Sequence, residues 1–187
     1  MNIPFITGRN VFLRGITKKD VNKDYLSWIN DYDVVKNMTT GLFPTSQEDI
    51  LEYVDRINKS NSEVIFAIVH KKEEKHIGNI KLGEINWIHR HAYIGIMIGN
   101  KDFLGKRLGT EACELILWYA FNRLNLHKVS ATLSENNIAS KKMFQKLGLN
   151  VEGRRIKQSF QEGKYYDVII MGILEEDYFK QERTIQF

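Results

Sequence analysis

The residues best suited to chemistry lie together, in Ile96-Met97-Ile98-Gly99-Asn100-Lys101-Asp102-Phe103-Leu104-Gly105-Lys106-Arg107-Leu108-Gly109-Thr110-Glu111-Ala112. An apolar strand runs into a short loop carrying Gly105 and Gly109, and a helix opens behind it. Such a loop presents backbone N–H groups without helical partners, and the helix dipole adds positive potential. Glycine lets an anion approach the main chain, and Lys106 and Arg107 add charge. The chemistry is phosphate binding. The spacing matches neither the dinucleotide G-x-G-x-x-G nor the Walker G-x-x-x-x-G-K-[ST] pattern. By spacing alone, a plain turn explains the glycines equally well.

The elements that must hold this loop are legible from periodicity. Asn10 to Ile16 reads as a strand. Tyr25, Trp28 and Ile29 recur at helical spacing. Ser46 caps a second helix whose apolar face is Ile50, Leu51, Val54 and Ile57, with Asp49 making an imperfect capping box. Val64 to Val69 is almost continuously apolar, as in a buried central strand. Lys71-Lys72-Glu73-Glu74-Lys75 is a solvated turn leading to the alternating strand His76 to Ile85. Tyr93 to Ile98 is a further strand, broken by Gly95 as at a bulge or close backbone approach. Thr110 to Leu124 is a helix apolar on nearly every side, so it is covered on more than one face. Lys128 to Leu133 is a strand, and a helix then runs to Leu147 and stops at Gly148. Strands near 151–160 and 165–174 close the domain through the turn 161–164. Strands mixed with helices and joined by hairpins predict an α+β domain with a mixed sheet of approximately seven strands and about four helices.

The 187 residues carry 27 Lys+Arg against 23 Asp+Glu, a net charge of +4. The charges are scattered, which argues against nucleic acid as a partner. A single cysteine, Cys113, excludes an internal disulfide framework and a cysteine zinc site, and no metal is expected. No apolar run reaches membrane-spanning length, and the first residues lack a secretory pattern, so the expectation is a cytoplasmic protein without membrane contact. One domain is expected over residues 8–179, with a polar tail at 180–187. A homodimer stays open.

With these elements in place the loop resembles the pyrophosphate loop of GNAT-family N-acetyltransferases, written [Q/R]-x-x-G-x-[G/A]. Thr110-Glu111-Ala112 is similar to the branch that holds the ribosomal-protein N-terminal, spermidine and amino-sugar enzymes. Asn137 to Leu149 resembles that branch's N-x-x-S-x-x-x-[Y/L/F]-x-x-x-G-[F/L]. Further echoes are Leu13-Arg14, Tyr25 to Asp31, Ile85 to Arg90, Leu126-His127-Lys128 and Tyr165 to Val168, in order along nearly the whole chain. Leu104 and Arg107 depart from the loop pattern, and Phe144 stands where many members carry an acid-donating tyrosine. Backbone donors survive the loop changes, and a thiol of pKa about 8.5 is a tolerable leaving group without a donor.

The resemblance implies a single GNAT-like domain splayed at a central strand, with acetyl-CoA as co-substrate and a small-molecule primary amine as acceptor. Ile96, Met97 and Ile98 would pair with the pantetheine amides as an added strand and expose an N–H to the thioester oxygen. Phe103, Leu104, Gly105, Lys106, Arg107, Leu108, Gly109 and Thr110 would cradle the pyrophosphate. Asn137, Ser140 and Phe144 would line the pantetheine channel, and Lys101, Lys141 or Lys142 would meet a 3′-phosphate. The acceptor must lose a proton, which at pH 7 costs about 4.6 kcal/mol for an amine of pKa about 10.4 and about 1.4 for one near 8. Glu84 is the candidate catalytic base. Surface positions are the plainer reading for His89 and His91, and Cys113 reads as buried and inert. Trp28, Phe43, Trp87 and Asp167 would face the acceptor. An amino sugar, free or nucleotide-linked, is the leading expectation. A polyamine or protein N-terminus is the alternative, and a non-catalytic acyl-CoA-binding module is the reading from another class.

Overall fold

The computed structural model describes residues 3–38 and 40–181. Its strands are β1 (Ile6–Thr7), β2 (Val11–Gly15), β3 (Val64–His70), β4 (Lys75–Asn86), β5 (His91–Ile98), β6 (Lys128–Ser134), β7 (Asn150–Gln161) and β8 (Lys164–Leu174). Its α-helices are α1 (Lys23–Asn30), α2 (Tyr32–Val35), α3 (Gln47–Asn58), α4 (Leu108–Trp118), α5 (Ile138–Lys146) and α6 (Glu175–Lys180). The strands form one eight-stranded sheet in the order β1-β2-β3-β4-β5-β6-β8-β7. The fold is the expected α+β domain. The additional strand is the two-residue β1, which pairs Ile6 with Leu13 and Thr7 with Phe12. The additional helices are the four-residue α2 and the six-residue α6, too short to show a helical period. Of the expected tail, Lys180 ends α6 and residues 182–187 lie outside the described residues.

Two large apolar clusters sandwich the sheet, beside a small third one of Phe12, Ala67 and Val69. On one face α4, α5 and α6 pack through Ala112, Cys113, Leu115, Ile116, Phe144, Leu147 and Tyr178 against Ile68, Ile80, Ile94 and Val129. Leu115 and Ile116 are fully enclosed, each contributing roughly 1.5–3 kcal/mol. On the other face Tyr25, Trp28 and Ile29 of α1 and Ile50, Val54 and Ile57 of α3 cover Ile65 and Met97. The α3 capping box is complete despite its aspartate. The Ser46 N–H donates to Asp49 Oδ2 (2.8 Å), and the Asp49 N–H donates to Ser46 Oγ (3.1 Å).

All strand pairs are antiparallel except β5 with β6. That one parallel pair holds only for His91↔Lys128, Ala92↔Val129 and Tyr93↔Ser130. Beyond Tyr93, β5 continues to Ile98 and β6 to Ser134 without pairing to each other, so the sheet opens into a wedge. On its other side β5 stays fully laddered to β4, from Gly78↔Ile98 to Gly83↔Tyr93. The fit there is close: a methyl on Gly78 would meet the Met97 carbonyl at 2.1 Å.

Candidate active site

The wedge leaves main-chain groups idle. The Gly99 N–H donates to the Ile77 carbonyl (2.9 Å), and in an antiparallel ladder alternate residues point their amides to alternate edges. Ile96 and Ile98 therefore turn their N–H and C=O groups into the gap, where no described hydrogen bond uses them. The Ile96 and Ile98 side chains point toward α4, since a methyl on Gly109 would stand 3.5 Å from each.

The loop beyond β5 supplies the second idle set. The N–H groups of Phe103 and Leu104 are spent in a tight turn on the carbonyls of Asn100 and Lys101 (both 3.1 Å). The Phe103 ring is buried, against His70 at 4.9 Å and beneath the Lys106 ammonium at 5.1 Å. Leu104 is exposed. The expected cradle therefore begins after them. The N–H groups of Gly105, Lys106, Arg107, Leu108, Gly109 and Thr110 have no partner among the described residues, and that of Glu111 closes the first helical bond to Arg107. Gly105 (φ +73°) and Arg107 (φ +61°) both adopt the left-handed conformation, so successive amides curl toward one concave side. Arg107 is the N-cap of α4 and makes no side-chain cap. The positive end of α4 is left open to an anion.

At the far wall of the wedge β6 passes into α5. The Asn137 Oδ1 accepts the Ser140 N–H (3.2 Å), leaving the Asn137 amide N–H groups and the Ser140 hydroxyl without partners among the described residues. Phe144 is buried in the α4-side core, so it offers the channel no polar group. Lys101 is drawn away from the cofactor side by Asp31 (2.6 Å) and Asp33 (3.6 Å), which ties the α1–α2 corner to the loop. That pairing raises the Lys101 ammonium above its ordinary value.

The acceptor expectations fare unevenly. Trp28 does not wall a pocket: it is buried (6% exposed), set edge-to-face against His76 at 5.1 Å and pressed on Gly99, where a methyl would stand 2.1 Å from its ring. Behind it Arg14 donates to both Asp20 oxygens (2.8 and 2.5 Å). Burial alone would raise the Asp20 carboxyl, but the Arg14 guanidinium and the Thr17 N–H hold it below the ordinary carboxylate value. Burial lowers the His76 imidazole. Phe43 is 81% exposed. Trp87 lies beyond the closed end of the wedge, where it donates to the Asn61 carbonyl (2.7 Å) and lines a 510 Å³ pocket with Phe66 and Tyr119. Asp167 accepts from the Lys157 N–H and from Arg154, both 2.8 Å, and its own N–H donates to Glu135 (3.0 Å). Its backbone carbonyl receives the Glu135 N–H (2.9 Å), so it braces the β6–α5 corner at the mouth of the wedge. The bond from Lys157 and the Arg154 charge hold the Asp167 carboxyl low.

Glu84 sits at a register shift of β4 between Gly83 and Asn86, with φ +53°. The kink breaks the predicted alternation and leaves the carboxylate exposed, without a cationic partner among the described residues. The bulge lies across from Ala92, one strand from the point where β5 and β6 part. Glu63 and Lys81, which no motif in the sequence singles out, form an ion pair at 3.3 Å, and Lys81 stands in register with Ile65 on the face opposite α4. The signal for them is that Gly83 and Gly95 leave the floor of that face bare. Among the described residues no His/Cys/Asp/Glu group is arranged to hold a metal, and no helix is long and apolar enough to cross a membrane.

A sheet opened at one strand pair, with bare main-chain donors in the gap and on the loop beyond it, offers the hydrogen-bonding chemistry that an acyl-CoA's amides and diphosphate call for. The chain belongs to the GNAT acetyltransferase family, whose acetyltransferase (GNAT) domain model matches residues 10–150. It is an N-acetyltransferase with acetyl-CoA as co-substrate. It is similar to the spermidine N(1)-acetyltransferase of Escherichia coli K12, 29% identical over 181 residues, covering 95% of this chain and 93% of that protein. An uncharacterised N-acetyltransferase of Bacillus subtilis, YnaD, is 28% identical over 92% of this chain and 98% of its own length. The crystal structure of spermidine N-acetyltransferase from Vibrio cholerae in complex with CoA and spermine superposes with a TM-score of 0.84. It is 26% identical and covers 91% of this chain and 98% of that one.

Proposed function

We propose that the acceptor is a linear polyamine, acetylated on a primary amine by direct transfer from acetyl-CoA. The observation that carries this reading is the similarity to spermidine acetyltransferases along nearly the full length of both chains. The amino-sugar expectation has no such support among these relatives. In the proposed reaction the Gly105–Thr110 amides hold the diphosphate and the Ile96 N–H faces the thioester oxygen, whose charge grows as the carbonyl carbon becomes tetrahedral. The acceptor nitrogen forms the C–N bond, the C–S bond breaks, the pair leaves on sulfur as thiolate, and the nitrogen gives up its extra proton to solvent as the amide forms. Glu84, directly or through one water, takes the ammonium proton before attack. With no hydroxyl at Phe144, the thiolate is protonated by solvent.

The test is CoA release, read with a thiol reagent, across spermidine, spermine, an amino sugar and a peptide N-terminus. Release dependent on the polyamines supports the reading, and release dependent only on the sugar or the peptide overturns it. Tight acetyl-CoA binding without release from any amine would instead identify a binding module.

A further inference from the structure

The face of β4 and β5 opposite α4 is where an acceptor must approach, because α4 and its loop fill the other side of the wedge. Along this face β4 presents Lys81 and Gly83, and β5 presents Tyr93 and Gly95, with Lys81↔Gly95 and Gly83↔Tyr93 in register. The Lys81 chain lies over both glycines. A methyl on Gly95 would stand 3.6 Å from Lys81 Cγ, and one on Gly83 would stand 3.4 Å from Cε and 3.5 Å from Nζ. The ammonium ends 3.3 Å from Glu63 Oε2, while Arg56 takes Glu63 Oε1 at 3.0 Å. An alkylammonium chain of the protein's own therefore lies over the floor that Gly83 and Gly95 leave without side chains. Two cations share one carboxylate, so the cluster carries net positive charge.

We infer that Lys81 is the specificity-determining residue of the acceptor face and sets how much positive charge an acceptor carries there. A polyamine offers the same groups as Lys81, methylenes and a terminal ammonium. It must displace the Lys81 ammonium from Glu63 or settle its second charge beside it. A monoamine meets neither demand. The inference rests on the polyamine reading only for the choice of substrate; the charge argument applies to any amine entering by this face.

The test is the ratio of kcat/KM for spermidine to that for a monoamine of similar length, in the wild type, Lys81→Met, Lys81→Glu and Glu63→Gln. Removing one like charge at partly screened range is expected to raise the ratio about five- to tenfold in Lys81→Met. Lys81→Glu should raise it further, and Glu63→Gln should lower it. A lysine that only braces the strand would shift both amines together and leave the ratio fixed, which overturns the assignment. So does a rise in the KM for acetyl-CoA that matches the acceptor change. If the wild type acetylates no polyamine, the polyamine reading falls by itself. The Lys81 assignment then stands if Lys81→Glu gains spermidine transfer, and falls if it does not. Lys81→Gln gives the same comparison should the glutamate variant fold poorly.

Discussion

On the α4 side of β5 the working groups are main-chain amides: Ile96 and Ile98 in the gap, and Gly105 through Thr110 on the loop, all without internal partners. On the opposite side they are charged side chains, and most are already engaged: Lys81 with Glu63, Lys101 with Asp31, Arg154 with Asp167. Amides at a splayed strand and an uncapped helix follow from the fold and tolerate substitution, so Leu104 and Arg107 change the loop's spelling without closing it. Side-chain charges depend on each residue's identity, so a single substitution there changes the local field. The α4 side thus depends on the fold, and the opposite side on the identity of single residues.

The sharpest way to break that contrast is to remove one amide. Gly105→Pro deletes an N–H and demands φ near −65° where the chain has +73°. Acetyl-CoA affinity by calorimetry is expected to fall at least about 100-fold, the upper end of what one charge-assisted hydrogen bond supplies, because the loop's curl is lost too. Far-UV circular dichroism should stay constant, and an unchanged Kd would deny the loop its role.

On the acceptor side, Glu84→Gln should lower acceptor kcat/KM about 100-fold while leaving acetyl-CoA affinity alone. A change below about threefold would remove Glu84 from the chemistry.

The buried ions beneath Trp28 tell whether the acceptor face is held rigidly. Asp20→Asn strands the Arg14 charge and is expected to cost about 3 kcal/mol in urea unfolding at pH 7. Asp20 is lowered in the fold, so its stabilisation is complete above the ordinary carboxylate pKa and is lost as pH falls through the lower folded value. His76 is also lowered, so its contribution begins to fade earlier, as pH drops through about 6.5. Wild-type stability should therefore decline in two stages on acidification, the second absent in Asp20→Asn. A single stage common to both proteins would contradict this.

The smallest effect belongs to the exposed loop: Phe43→Ala should move stability by no more than about 0.5 kcal/mol and acceptor kcat/KM by no more than about twofold. A larger kinetic change would restore Phe43 to the acceptor wall.

What the sequence discloses divides along the same line. A continuous apolar run places β3, and a glycine-marked helix start places the loop and the opening of α4, because both are local signals; α4 itself ends at Trp118, and a π-turn carries the chain on to Arg123. Position in sequence does not say that Trp28 is pinned under Gly99 or that Trp87 stands at the closed end of the wedge. Those are tertiary facts, set by which helix crosses which strand. The short β1 and α2 leave no period to detect. The register shift at Glu84 inverts an alternation that reads smoothly on paper. Lys81 is recognisable only once Gly83 and Gly95 are known to lie beside its side chain.

Amide ¹H–¹⁵N shifts on addition of CoA, compared with pantetheine, which lacks the diphosphate, test the main-chain grip most directly. The account predicts large shifts at Gly105 through Thr110 with CoA only, and shifts at Ile96 and Ile98 with both. Loop amides that stay still under saturating CoA, while other regions respond, would contradict it.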